Sequence, residues 1–301
     1  MPEPIYICGP TASGKSTLAL ELAGKLGGEI VNADAFQLYR GAPVLTAAPS
    51  AAELETVPHH LYGVLDPTEA CDAMRYREMA LPVIEEIRGR GLHPIVTGGS
   101  GLYLKFLSHG PSPLPPGDPA LRRKLDERPL ESLVEELAQR DPLEASRTDS
   151  SNRRYVSRAL EVCLLSGRPC SELRDRWESR SREIEGSLWG LVVRRQRSDL
   201  HQRIDERTRR MLTSGAFDEV AGLPAEMAGF EKAIGIQQIR EHLGGRITLA
   251  DCRERIAAAT RQYAKRQETW FRRESWLHAV PWPPASPPPL DVALRALSNR
   301  F

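Results

Sequence analysis

The sequence predicts an α/β chain: a parallel sheet with flanking helices, interrupted by an inserted, mainly helical subdomain. Three observations predict it. Short apolar runs alternate with helical stretches over the first hundred residues. Two glycine clusters fall at the ends of such runs, and ligands of parallel sheets bind at the carboxyl ends of the strands. A proline-rich break near residue 110 opens a charged, helix-forming region before an apolar run returns at 189.

Taken in order, residues 5–8 (IYIC) read as a first strand ending at Gly9, and STLALELAGKL (16–26) reads as a helix stopped by Gly27-Gly28. EIVNA (29–33) is a second strand, LYGVL (61–65) a third, 72–90 a helix, and HPIVT (93–97) a strand that runs into the second glycine cluster. HGPSPLPPGDP (109–119) has too much proline for a regular element. WGLVVRR (189–195) is a returning strand. Helices follow over about 198–213 and 248–275, and PWPPASPPP (281–289) is expected to end the packed region. The expected organisation is a core built from 1–117 and 187–301, with a helical subdomain at 118–186.

With 301 residues, 41% hydrophobic and 27% charged, there is room for one large domain and a smaller one, which excludes disorder and fibrous classes. No run of about 18 uncharged apolar residues occurs, and MPEPIYICGP lacks the pattern of a secretory leader, so a cytoplasmic location without a membrane partner is expected. Five cysteines (Cys8, Cys71, Cys163, Cys170, Cys252) without a C-x-x-C pair point to reduced thiols rather than disulfides or zinc. The net charge of +1 divides into −4 for residues 1–110 and +5 for 111–301. That asymmetry suits a polyanionic partner, although the isoelectric point of about 7.7 is below that of a dedicated nucleic-acid module.

Gly9-Pro10-Thr11-Ala12-Ser13-Gly14-Lys15-Ser16 matches G-x-x-x-x-G-K-[ST] between a strand and a helix, which makes the expected fold P-loop NTPase-like. In such a loop the backbone amides converge on phosphate oxygens, the helix adds its positive end, Lys15 adds a charge and the Ser16 hydroxyl can hold Mg²⁺. The motif is usual in ATP-binding proteins but does not by itself tell a nucleotide from another diphosphate. A P-loop small-molecule kinase would use an acidic residue after a strand, and Asp34 or Asp66 could serve. Asp34 follows the second strand, as a general base or as a turn aspartate. Ser100, in Gly98-Gly99-Ser100-Gly101, presents a hydroxyl to the crevice or caps the next helix.

On the helix of about 198–213, Leu200, Ile204 and Met211 fall within roughly 40° of one another, with Arg207 at the edge of their stripe. An inward arginine needs an anion. Arg207 is thus a candidate diphosphate clamp with Arg203 as helper, or else the partner of a buried carboxylate. On the last long helix Ile256, Tyr263 and Trp270 face the core, while Arg261, Lys265 and Arg272 form a basic stripe that suits phosphates or a solvated face. His59-His60 precede a strand and cannot both point one way, which argues against a metal site.

Seven blocks (GPTASGKS, NADAFQLYRG, VPHHLYGVLDP, PIVTGGSGLYL, RRYVSRALEVCLLSGRP, HQRIDERTRRMLTSGAFDEV and TRQYAKRQETWFRR) together resemble the tRNA dimethylallyltransferase family over residues 9–273. The resemblance implies transfer of a dimethylallyl group from dimethylallyl diphosphate to N6 of adenosine 37, just 3′ of the anticodon, in tRNAs reading codons that begin with U, with Mg²⁺ required. It implies Asp34 as the base, with Lys15, Ser100 and Arg207 completing the catalytic set. The loop from Gly9 to Ser16 and Arg203 would grip the leaving diphosphate. Asp34, Ala35, Phe36, Gln37, Ser100, Arg122, Arg154, Ser157, Arg158, Arg261 and Lys265 would meet the tRNA anticodon stem-loop. A monomer is expected. An adenine-nucleotide prenyltransferase is the nearest alternative; the long helical region beyond residue 110 favours tRNA. The chain departs from the family at Ala48 (usually lysine), Ala35 (usually serine), Ser100 (more often threonine) and Gln237, where a basic pattern is commoner.

Overall fold

A computed structural model describes residues 2–298. The strands are β1 (Ile5–Cys8), β2 (Gly28–Asn32), β3 (His59–His60), β4 (His93–Gly98), β5 (Trp189–Arg194) and β6 (Leu277–Pro281). The helices are α1 (Lys15–Leu26), α2 (Pro43–Thr46), α3 (Ala51–Thr56), α4 (Ala73–Gly89), α5 (Gly101–His109), α6 (Pro119–Asp126), α7 (Leu130–Arg140), α8 (Pro142–Arg147), α9 (Arg153–Ser166) and α10 (Cys170–Glu185). After β5 come α11 (Arg197–Thr213), α12 (Ala216–Gly222), α13 (Ile236–Leu243), α14 (Leu249–Phe271) and α15 (Leu290–Ser298).

The strands form one sheet in the order β3-β2-β4-β1-β5-β6, every pairing parallel. β1 and β2 are buried at every position, as expected of strands covered on both faces. Alternation sorts their side chains into two layers. Tyr6, Cys8, Val31, Val96 and Val192 pack with α4, α5, α13 and α14, while Ile5, Ile7, Ile30, Ile95 and Leu191 pack with α1 and α15. Register then places the site: Cys8 pairs with both Gly98 and Val192, so β4 and β1 end level while β5 runs two residues further, to Arg194. Asn32 pairs with Thr97, which brings the turn after β2 beside the second glycine cluster.

Two expectations need correction. Residues 61–65 are not a strand: the third strand is His59–His60, the histidines themselves, and the chain then turns with Leu61 (φ 63°) and Gly63 (φ 60°) left-handed. Leu65 keeps only an isolated bridge to Tyr39. The proline segment does not end the packed region either. β6 extends to Pro281, Trp282 is buried with its backbone amide donated to the Arg194 carbonyl, and α15 buries Ala293 and Leu297. Prolines there form a spacer, because the amphipathic helix beyond them still has an apolar face to cover.

His109–Gly186 is a separate compact unit, and the rest of the described chain forms the other. The helical unit has its own core, with Leu133, Leu137, Val156, Leu160 and Cys170 buried. At its centre Glu161 is fully buried and accepts from Arg122 (3.0 Å), Arg158 (2.6 Å) and the Asp118 amide (2.7 Å). No helix among the described residues is long and apolar enough to cross a membrane.

Candidate active site

The glycine loop is held from three sides before any ligand is considered. Three arginines contact three consecutive loop residues: Arg207 Nη1 donates to Thr11 Oγ1 (3.0 Å), Arg203 Nε to the Ala12 carbonyl (2.8 Å) and Arg195 Nε to the Ser13 carbonyl (2.6 Å). Arg203 and Arg207 are one turn apart on α11, and the strand end of β5 delivers Arg195. Arg195 is itself buried, paired with Asp199 at 2.8 Å and stacked 4.1 Å from the Trp282 ring. That ring also closes on Gly14, where φ is 92° and a Cβ would stand 2.7 Å from it. Ala12 is left-handed (φ 63°) without being glycine, an arrangement that costs about 1 kcal/mol; its methyl packs on Leu200, Ile204 and Ala264.

Lys15 opens α1 beside this loop. Burial pushes its pKa down, the neighbouring Asp34 draws it back up, and Arg207 pushes it down again. Burial lowers Arg207 likewise, and Asp34 opposes it. Arg207 finds no carboxylate partner: its hydrogen bonds go to Thr11 Oγ1 and, at 3.2 Å, to the Thr46 carbonyl. The charge of Asp34 thus acts on both cations, and neither forms an ion pair among the described residues. A cavity of about 70 Å³ opens here, lined by Asp34, Arg207 and Thr11 together with Phe36, Leu45, Met211, Ile234, Ile256 and Tyr263. A few polar and charged groups share the wall with apolar side chains, the usual form of a small-ligand site.

The turn carrying Asp34 is tied to its surroundings by short bonds. Asn32 Oδ1 accepts the Asp34 amide (2.8 Å), and Asp34 Oδ1 accepts the Phe36 amide (3.1 Å). One carboxylate oxygen therefore makes the turn and the other has no bonded partner among the described residues. Ser100 Oγ accepts the Ala35 amide at 2.8 Å, so this side chain fastens the Asp34 turn instead of capping α5. Gln37 directs its amide group to the Thr46 (3.1 Å) and Ala47 (2.7 Å) carbonyls, which leaves its Oε1 to accept. The Val44 and Leu45 amides of the short helix α2 are capped by Glu219 at 2.7 and 2.9 Å.

The second glycine cluster owes its composition to the protein's own packing. A Cβ at Gly98 would lie 2.1 Å from the Ala33 carbonyl oxygen, one at Gly99 would lie 2.2 Å from Gln267 Nε2, and one at Gly101 would lie 2.4 Å from the Trp270 ring. Sequence reasoning missed Gln267, Arg195 and Trp282. A signal existed for the first, a polar residue about 40° from Tyr263 on the core-facing stripe of α14.

The expected basic surface divides. Lys265, Arg272 and Arg154 are exposed with no ion pair among the described residues. Arg261 instead bridges Asp205 (2.7 Å) and Glu254 (2.6 Å), so the uniform stripe expected on α14 is interrupted. Arg122 and Arg158 serve Glu161, and the Ser157 hydroxyl is buried without a hydrogen bond among the described residues. His60 pairs with Glu29 (2.7 Å) and His59 with the Val57 carbonyl (2.8 Å), in different directions.

Residues 37–274 match the family described as IPP transferase. The chain belongs to the IPP transferase family. Within it, the chain is 45% identical to a tRNA dimethylallyltransferase of Akkermansia muciniphila over 99% of this chain and 97% of that one. It is 42% identical to tRNA dimethylallyltransferase 1 of Citrifermentans bemidjiense, covering 93% and 92%. Its structure is similar to a tRNA Δ(2)-isopentenylpyrophosphate transferase of Staphylococcus epidermidis (TM-score 0.71, 29% identity, all of both chains). It is also similar to a eukaryotic dimethylallyltransferase described as acting on tRNA (TM-score 0.79, 27% identity, all of this chain and 79% of that one). The sheet and phosphate loop are those of the P-loop NTPase-like fold expected from the sequence.

Proposed function

We propose that this chain transfers a dimethylallyl group from dimethylallyl diphosphate to N6 of adenosine 37 in tRNAs reading codons that begin with U, releasing diphosphate. Dimethylallyl transfer to tRNA is the activity its relatives are named for. The observation that carries the finer reading is a cavity lined by Asp34 and Arg207 together with apolar side chains, next to the phosphate loop whose Thr11 Arg207 holds, with Arg207 in no ion pair among the described residues.

An exocyclic adenine amine is a weak nucleophile. Asp34, with one oxygen committed to its turn and the other unbonded, accepts the N6 proton as the N6–C1 bond forms and the C1–O bond breaks. Electrons move onto the departing diphosphate, where Lys15, Arg207, Arg203 and the amides of Gly9 to Ser16 stabilise the growing charge. The apolar wall takes the dimethylallyl group and keeps water from the allylic carbon. Ser100 holds the Ala35 amide, and its hydroxyl proton is left for the bridging oxygen. The oxygen donors fit a hard divalent cation held largely by substrate phosphates: Ser16 is exposed at the start of α1, with the Thr97 hydroxyl lining the same small hollow. When bound there, Mg²⁺ adds positive charge to the leaving group.

Adenosine 37 lies in a stacked loop and must be extruded to reach Asp34, where Ala35, Phe36 and Gln37 form the receiving turn. In the core unit Lys265 and, through a rearranged ion pair, Arg261 contact tRNA phosphates; in the helical unit Arg154, Ser157 and, through rearranged ion pairs, Arg122 and Arg158 do so. We take the enzyme to be a cytoplasmic monomer. Incubation with unmodified tRNA and labelled dimethylallyl diphosphate, followed by nuclease digestion, is expected to yield labelled N6-dimethylallyladenosine. Consumption of ATP with no prenylated nucleoside would instead mark a kinase.

A further inference from the structure

Gln267 lies on α14 with only 5% of its surface exposed. Its carboxamide joins the two glycine loops: Oε1 accepts the Thr11 amide at 2.8 Å and Nε2 donates to the Gly99 carbonyl at 2.9 Å, both bonds buried. The partners stand 256 and 168 residues away in sequence. The loops present one N–H and one C=O, and a carboxamide of this length supplies the matching acceptor and donor. Glutamate would set a lone pair against the Gly99 carbonyl, and lysine would set a donor against the Thr11 amide. Gly99 has no side chain to spare, since its Cβ would meet Nε2 at 2.2 Å. Tyr263, one turn before Gln267 on α14, lines the wall of the cavity.

We propose that Gln267 is a positioning residue that locks the diphosphate loop in register with the turn carrying the base. Thr11, whose amide Gln267 holds, receives Arg207 on its hydroxyl; Gly99, which Gln267 also holds, precedes Ser100, whose hydroxyl fixes the amide next to Asp34. Leaving-group clamp and general base are therefore connected through one buried carboxamide. A misplacement of about 1 Å between such groups costs on the order of 10²-fold in rate. The proposal rests on the prenyl-transfer reading.

The test uses the full chain with Gln267→Met, Gln267→Glu, Gly99→Ala and the double variant Gln267→Met/Gly99→Ala. Steady-state turnover with tRNA and dimethylallyl diphosphate is measured alongside tRNA binding, calorimetric titration of inorganic pyrophosphate and thermal melting. In each single variant kcat is expected to fall about 10- to 100-fold with tRNA affinity within about twofold, and pyrophosphate binding is expected to weaken. The double variant is expected to fall no further than the worse single one, because both changes remove the same bridge. In Gln267→Glu the deficit relative to wild type is expected to shrink as pH falls, since a protonated carboxyl offers an acceptor and a donor again; Lys15, Arg207, Asp34 and Tyr263 are common to both proteins and cancel in the ratio. A Gln267→Met or Gln267→Glu enzyme with kcat within about twofold of wild type overturns the proposal, as do losses that multiply in the double variant. If wild type itself makes no prenylated nucleoside, the functional reading fails, and unchanged pyrophosphate affinity in the variants would then dispose of the bridge separately.

Discussion

Asp34 and Arg207 line one cavity, and the proposed reaction gives them different work that their substitutions separate. Asp34→Asn keeps the Oδ1 acceptor for the Phe36 amide but cannot take a proton, so kcat should drop about 10²–10⁴-fold while the tRNA dissociation constant stays within a few-fold. Equal losses in rate and binding would remove Asp34 from the role of base. Arg207→Ala deletes a charged fork that holds Thr11 and the Thr46 carbonyl, and such charge-assisted bonds are worth about 1.5–3 kcal/mol each. Diphosphate-donor binding should weaken by about 10–100-fold and tRNA binding by much less; separate titrations giving the reverse ranking would reassign the residue. Asp34 and Lys15 were legible because motif and strand end place them, and Arg207 because helical periodicity turned it inward. The partner of Arg207 was not legible. An inward arginine is compatible with a buried carboxylate, and only the position of Thr11 and Thr46 in space excludes one.

At the scale of elements, the turn after β4 and the centre of α9 carry the most consequence. Glycine at 98 is needed because β2 ends against it, with the Ala33 oxygen 2.1 Å from where a Cβ would sit. Gly98→Ala must push the Asp34 turn aside, and overpacking of this kind costs about 1–3 kcal/mol; a melting temperature indistinguishable from wild type, with full activity, would refute this close approach. From sequence the cluster looks like an anion cradle, yet its glycines answer to Ala33, Gln267 and Trp270. In the helical unit, burial pushes the Glu161 carboxyl up, but bonds from Arg158, Arg122 and the Asp118 amide hold it below its usual value. Asp141 is held low as well, by the Ser171 and Glu144 amides acting against burial. Depressed carboxylates stabilise fully above their unfolded values near 4 and lose that contribution as pH falls through the lower folded values. Hydrogen-exchange protection within His109–Gly186 should therefore decline below about pH 4, and Glu161→Gln should flatten that decline; identical acid profiles for both proteins would show that these carboxylates do not govern it.

For the molecule as a whole, the charge asymmetry finds a use only where cations are not already paired. Neutralising Lys265 or Arg154, both exposed without ion pairs, should lower the salt slope of tRNA binding by about one each, whereas Arg261, engaged by Asp205 and Glu254, should change it less. A larger effect at Arg261 would mean that its ion pairs open to admit phosphate. The sequence by itself determined the alternation of strands and helices, the phosphate loop, the helical insertion and the place of Asp34 at the end of the second strand, because apolar periodicity and a contiguous motif are local properties of the chain. It could not determine that two histidines form the third strand, that a helix follows the prolines, that Arg261 is neutralised, or that Gln267 spans two loops. Those outcomes depend on which groups from distant segments meet at hydrogen-bond distance, and strand register and helix packing, set by burial on both faces of the sheet, decide that only in the folded chain.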